Sequence, residues 1–135
     1  MEFEDRYFVK FKFTKEQIKR NFNNALKDLE IAKKDEILEV KFNYAYNSLI
    51  KAGIALLSYY QIKAKSVVGH HIKILEKLGE ILKDNSVIDI GNIMRSKRNL
   101  DFYGGGIEVT EKECREYINF VEDVLSGVKK IILRV

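Results

Sequence analysis

Residues 42–57 read Phe-Asn-Tyr-Ala-Tyr-Asn-Ser-Leu-Ile-Lys-Ala-Gly-Ile-Ala-Leu-Leu, and this run decides the fold. Phe42, Ala45, Leu49, Ala52 and Leu56 recur at helical spacing, and Tyr46, Ile50, Gly53 and Leu57 widen the same stripe. A helix that is apolar over so much of its circumference must be enclosed by other elements. We expect it to run from about Glu36 to Ile62 and to lie at the centre of the molecule. Small residues at Ala45, Ala52, Gly53 and Ala55 let neighbouring backbones come close. The most apolar stretch, Ala52 to Tyr60, is far shorter than the ~20 residues needed to cross a bilayer, so no membrane span is expected.

Outward from this run, the chain punctuates itself into further helices. Thr14 reads as an N-cap with Glu16 and Gln17 in the first turn, and Ile18, Phe22, Ala25, Leu29 and Ala32 make one face of a helix over about 15–33. A basic loop, Lys63 to Gly69, precedes a helix that starts near His70 and carries Ile74, Leu75, Leu78, Ile81 and Leu82. Asp84 to Ser86 breaks it, with Ser86 a candidate cap. The next helix carries Val87, Ile90, Met94, Arg98 and Phe102 on one face and stops at Gly104, Gly105 and Gly106. Thr110 and Glu113 form a capping box for a last helix with Cys114, Ile118, Val121, Leu125, Val128 and Ile132. Ahead of all this, Arg6 to Phe13 alternates in strand fashion, with Tyr7, Val9, Phe11 and Phe13 on one side and Lys10 and Lys12 on the other, and four aromatics in eight residues imply that it packs on the bundle.

The reading is therefore all-α: a single domain over 1–135, built as an antiparallel up-and-down bundle of about five helices with a short extended N-terminal arm. The absence of proline fits a chain that is mostly helix. At 135 residues the chain is long enough to bury its own core, and 46% hydrophobic with 33% charged residues is a globular balance. A net charge of +4 is too small by itself to diagnose nucleic-acid binding. A lone cysteine, Cys114, excludes an intrachain disulfide, and the acidic start from Met1 to Asp5 is unlike a secretory signal; both point to the cytoplasm.

With strictly alternating helices, the loop before His70, the end of the Arg98 helix, the start of the last helix and Thr14 all share one end. Lys63, Lys65, His70, His71, Arg95 and Arg98 then form a ligand-binding end, and the last helix's N-terminus adds an attraction for phosphate. Arginine offers the two-pronged fork that phosphate needs. The competing reading makes Arg98 the partner of an acid such as Asp101, setting helix register. His70 and His71 have the right side chain for proton transfer, or else simply pack at a helix start. Adjacent histidines diverge on a helix, and no Glu-x-x-His pairs occur, so no metal site and no cofactor are expected. The chain carries no phosphate-cradling, dinucleotide, zinc-protease or nucleophile-elbow motif.

The order of these features resembles the HEPN domains, small helical-bundle proteins of bacteria and archaea. The matching pieces are Tyr44 to Ala52, the Gly69-His70-His71 helix start, Arg95-x-x-Arg98-Asn99-x-x-x-Tyr103, and the Thr110-capped last helix. The resemblance spans about Ile18 to Val128. It implies a homodimer, often paired with a minimal nucleotidyltransferase in a toxin–antitoxin setting, and frequently a metal-independent endoribonuclease. The ribonuclease signature is an arginine, a polar residue beside it, and a histidine after four to six intervening residues. Arg98 and Asn99 supply the first two, but Tyr103 stands where the histidine belongs, and no histidine follows His71. Arg98, Asn99 and Tyr103 are thus the catalytic positions by resemblance, in a chain that lacks the usual acid–base partner. The expectation is a non-catalytic protein that binds a nucleotide, RNA or a nucleotidyltransferase. The alternatives are an endoribonuclease using Arg98 with an atypical partner, and a protein–protein module without a ligand.

Overall fold

Two threonines set the ends of the bundle. Helix α1 (Lys15–Lys34) starts at Thr14, whose hydroxyl accepts from Gln17 N while the Gln17 side chain accepts from Thr14 N. Helix α5 (Glu111–Ile132) starts at Thr110 with the same reciprocal pair to Glu113. A computed structural model describes residues 2–104 and 106–133, with side chains for all of these except 101–104. Between the two capped helices lie α2 (Leu38–Tyr59), α3 (His70–Leu82) and α4 (Asn85–Gly104). Two short strands, β1 (Phe8–Lys10) and β2 (Ile62–Ala64), pair antiparallel with Phe8 opposite Ala64 and Lys10 opposite Ile62. The protein is a mostly helical bundle of five helices with an extended N-terminal arm.

Helix α2 is central, as its wide apolar stripe requires. Phe42, Tyr46, Leu49, Leu56 and Leu57 are fully buried, and α1, α3, α4, α5 and β2 all pack on it. Gly53 is small for a reason: a Cβ there would sit 2.4 Å from Ile74 Cγ2 of α3. The polar positions on α2 that face α1 are satisfied across that interface. Ser48 Oγ donates to Ala25 O at 2.7 Å, and Lys51 Nζ lies 2.6 Å from buried Asp28 Oδ2. That Asp28 oxygen makes no well-aligned hydrogen bond, so the contact with Lys51 is one of charge.

One part of the expected topology is different. Helix α3 runs with α2, not against it: His71 meets Tyr46, and one turn further Ile74 meets Gly53. The cause is the connector. Helix α2 stops at Tyr59, short of the expected Ile62, because Gln61 takes a left-handed φ of 61° and the next three residues pair with β1. Lys65 N donates to Tyr7 O at 2.7 Å and continues the return. Ten extended residues reach about 30 Å, more than the ~20 Å that separates the levels of Tyr59 and Tyr46 along a helix. Helices α3 and α4 then form an antiparallel hairpin, with Leu75 against Gly91 and Ile88 against Gly79. The cap of α4 is Asp84, whose Oδ1 accepts from Ser86 N and Oγ, so Ser86 is not itself the cap.

Helix α5 runs alongside α2 from its start. Cys114 Sγ is 3.9 Å from Leu38 O, the Tyr117 and Phe42 rings meet edge to face at 5.5 Å, and Gly127 lies against Leu82. One end of the bundle therefore gathers the starts of α2, α3 and α5 with the end of α4. Thr14 and Lys63 lie at the other end, where Gln61 Oε1 accepts from Phe13 N and Gln61 Nε2 donates to Phe13 O. The arm also packs differently from its alternation. Phe8 is the buried residue, against Phe3, whereas Val9 and Phe11 face solvent. A single residue, Phe8, on the otherwise basic face of Arg6, Lys10 and Lys12 supplies the buried contact.

Candidate functional site

Three elements converge at the α3 start. His70 and His71 occupy the first turn of α3, Arg95 and Arg98 come from the last turns of α4, and Tyr46 rises from the core on α2. The Tyr46 hydroxyl is 2.9 Å from His71 Nδ1, and the Arg98 guanidinium carbon lies 5.4 Å from the centre of the Tyr46 ring, stacked as a cation on a π face. The His70 and His71 rings meet edge to face at 4.5 Å. His70 Nδ1 lies 2.8 Å from Val67 O, an acceptor, so Nδ1 carries the proton and Nε2 of the neutral ring is left as an acceptor.

The electrostatics report the crowding. Burial, then the electrostatic influence of His70, Arg98 and Arg95, pushes His71 down to about 4. Burial pushes the Tyr46 hydroxyl up to about 12, against the pull of Arg98 and Arg95. Both groups are therefore neutral across the physiological range. A histidine held near 4 has no proton to give near pH 7 and is a weak base, so His71 is poorly matched to acid–base chemistry. Arg95 Nε donates to Asn92 Oδ1 at 3.4 Å. Among the described side chains, no carboxylate forms an ion pair with Arg95 or Arg98. Asp101, the acid considered from sequence, and Tyr103 have side chains outside the described residues.

The expected site is thus partly assembled. Arg95, Arg98, His70 and His71 come together, and Asn99 follows them on the exposed side of α4. Lys63 and Lys65 do not join them. Lys63 Nζ lies 5.1 Å from the Phe11 ring and Lys65 Nζ donates to Asp5 O at 2.6 Å, both on the arm. The cause is again the return strand, which places the basic loop alongside β1. The N-terminus of α5 is near, since Lys97 Nζ is 3.9 Å from Glu113. It is not an anion seat: its capping box is closed, and Glu111 and Glu113 already put negative charge in its first turn.

Tyr46 is the site residue that sequence reasoning passed over, having counted it only as part of the α2 stripe. The signal was there. A tyrosine at the centre of an apolar helix needs a partner for its hydroxyl, and His71 lay on the apolar side of α3.

Among the described residues, no group of three or more His, Cys, Asp or Glu side chains is placed to hold a metal, and no helix is long and apolar enough to cross a membrane. Comparison with known protein families, curated proteins and solved structures finds no match to the chain.

Proposed function

We propose that the protein binds a phosphate-bearing ligand, a nucleotide or an RNA, at the Arg95–Arg98–His70 end, and does not cleave it. The observation that carries this reading is the convergence itself: Arg95 and Arg98 both act on the His71 ring, so their positive potential is focused on one spot. A guanidinium fork from α4 offers a phosphate two parallel N–H donors. The neutral, weakly basic His71 supports binding over catalysis, as does the lack of a histidine beyond it.

The HEPN resemblance supplies the setting of this proposal. It makes a homodimer the assembly, a minimal nucleotidyltransferase the partner class and a toxin–antitoxin pair the context, while the lone Cys114 favours a reducing cytoplasm. Ile93 and Leu100, 51% and 62% exposed on the outer face of α4, favour a partner against that helix. The test is a thermal-shift titration with inorganic phosphate, AMP and a short RNA, alongside a cleavage assay on labelled RNA. The expected result is stabilisation by ligand that is lost in Arg98→Ala, with the RNA intact. Cleavage that vanishes in Arg98→Ala and in His70→Ala would establish the endoribonuclease reading instead. No stabilisation by any phosphate ligand would leave the protein–protein module. A monomeric mass by light scattering would remove the dimer.

A further inference from the structure

The arm carries a second basic surface, at the end of the bundle away from Arg98. An open hollow of about 420 Å³ lies at the corner of the β1–β2 ribbon, lined by Lys10, Phe11, Lys12, Tyr60, Gln61 and Ile62. No acidic residue lines it. Lys10 and Lys12 are exposed there, exposed Lys63 lies beside them with its Nζ 5.1 Å from the Phe11 ring centre, and two rings are partly open to solvent, Phe11 at 43% and Tyr60 at 41% exposed. Large exposed aromatics beside a run of lysines need an explanation, because the hydrophobic effect would bury them if nothing else used them.

The corner is also rigid. Gln61, in its left-handed conformation, binds both the N–H and the C=O of Phe13 with one side-chain amide. Phe11 N donates to Gln61 O at 3.0 Å, which extends the ribbon by one rung. Phe13 packs on Phe11 with ring centres 4.7 Å apart, and Tyr59 meets Tyr60 edge to face at 5.2 Å. The exposed rings are therefore held in place before any ligand arrives, which lowers the entropy cost of binding.

We propose that this corner binds single-stranded nucleic acid, with Phe11 and Tyr60 as stacking platforms for bases and Lys10, Lys12 and Lys63 tracking the phosphates. The chemistry is that of sequence-tolerant single-strand binders, in which π faces take successive bases and a basic groove follows the backbone. An acidic protein would satisfy the lysines and leave the rings without a role, and a duplex hides the faces of its bases. The surface shares no residue with the arginine end, so it stands or falls independently of the function proposed there.

The experiment uses the Arg95→Ala/Arg98→Ala protein, in which the first site is disabled, and a fluorescein-labelled 12-nucleotide oligo-U read by anisotropy at several salt concentrations. Binding is expected to persist in that background. Phe11→Ala and Tyr60→Ala should each weaken it by at least about fivefold. Lys10→Gln/Lys12→Gln/Lys63→Gln should flatten the slope of log affinity against log salt by about 2. Because Phe11, Tyr60 and the three lysines lie at the surface, circular dichroism and melting temperature should stay unchanged and rule out a folding defect. The proposal is overturned if the background protein does not bind oligo-U. It is equally overturned if the aromatic substitutions leave affinity unaltered, or if a duplex or a labelled oligoglutamate of equal charge binds as tightly.

Discussion

The Tyr46 hydroxyl and His71 Nδ1 lie 2.9 Å apart, and their surroundings hold both neutral from opposite directions. Burial, then the electrostatic influence of His70, Arg98 and Arg95, lowers His71 from 6.5 to about 4, and burial raises Tyr46 from 10.0 to about 12. The contact joins the central helix to the first turn of α3, so it fixes where the return strand delivers the chain.

Stability should therefore show a plateau with two shoulders. Below about pH 6.5 the unfolded chain takes up a proton at His71 that the folded one refuses, so stability falls progressively toward pH 4. Above about pH 10 the unfolded tyrosine ionises first, so stability falls again toward pH 12. Solvent screening of the half-buried ring keeps the acid loss attributable to His71 to about 1–2 kcal/mol. Urea unfolding of wild type and His71→Asn at pH 7.5 and 4.5 checks this: the variant should show a smaller difference between the two pH values. An unchanged difference would assign the acid limb to other groups.

Replacing Arg98 by lysine tests whether the fork matters or only the charge. Lysine keeps the positive charge but loses the planar pair of donors and the stacking on Tyr46. Phosphate-ligand affinity should fall about tenfold in Arg98→Lys, corresponding to ~1.4 kcal/mol. Isothermal titration at fixed salt measures it. Equal affinity for the two side chains would reduce the site to a point charge.

Gly53 and Gly91 each bring a neighbouring helix close against α3. A methyl group at Gly53 would meet Ile74 at 2.4 Å, and one at Gly91 would meet Leu75 at 2.7 Å. Alanine has the better helix propensity, by roughly 1 kcal/mol. Here overpacking should win, with a net loss of about 1–3 kcal/mol in each variant by urea denaturation. A stabilised Gly53→Ala would mean that α3 can slide outward freely, and the His71–Tyr46 contact should then weaken too.

The helices were legible because each carries its own local marks. Thr14 and Thr110 announce their helices, and the stripes of α1, α2 and α5 are regular enough to give the core directly. The direction of α3 was not legible. It depends on three residue pairs between Phe8–Lys10 and Ile62–Ala64, about fifty positions apart, and on a left-handed glutamine. No local pattern encodes such a pairing, and Ile62 fits a helical stripe as well as a strand. The same error explains the site. Arg98, His70 and His71 do lie together around Tyr46, with Arg95 one turn away on α4, while an assumed antiparallel loop carried Lys63 and Lys65 to an end where they do not lie.

Cys114 gives this architecture an internal clock. The thiol is buried against Leu38 O at the junction of the first turns of α2 and α5, and burial raises its pKa. It reacts with a disulfide reagent only when that junction opens, so its labelling rate divided by that of the unfolded chain reads the opening equilibrium. Ligand at the neighbouring arginine end should slow this labelling, whereas oligo-U at the ribbon corner should leave it untouched. A single native thiol thereby distinguishes events at the two ends of the molecule without any engineered probe.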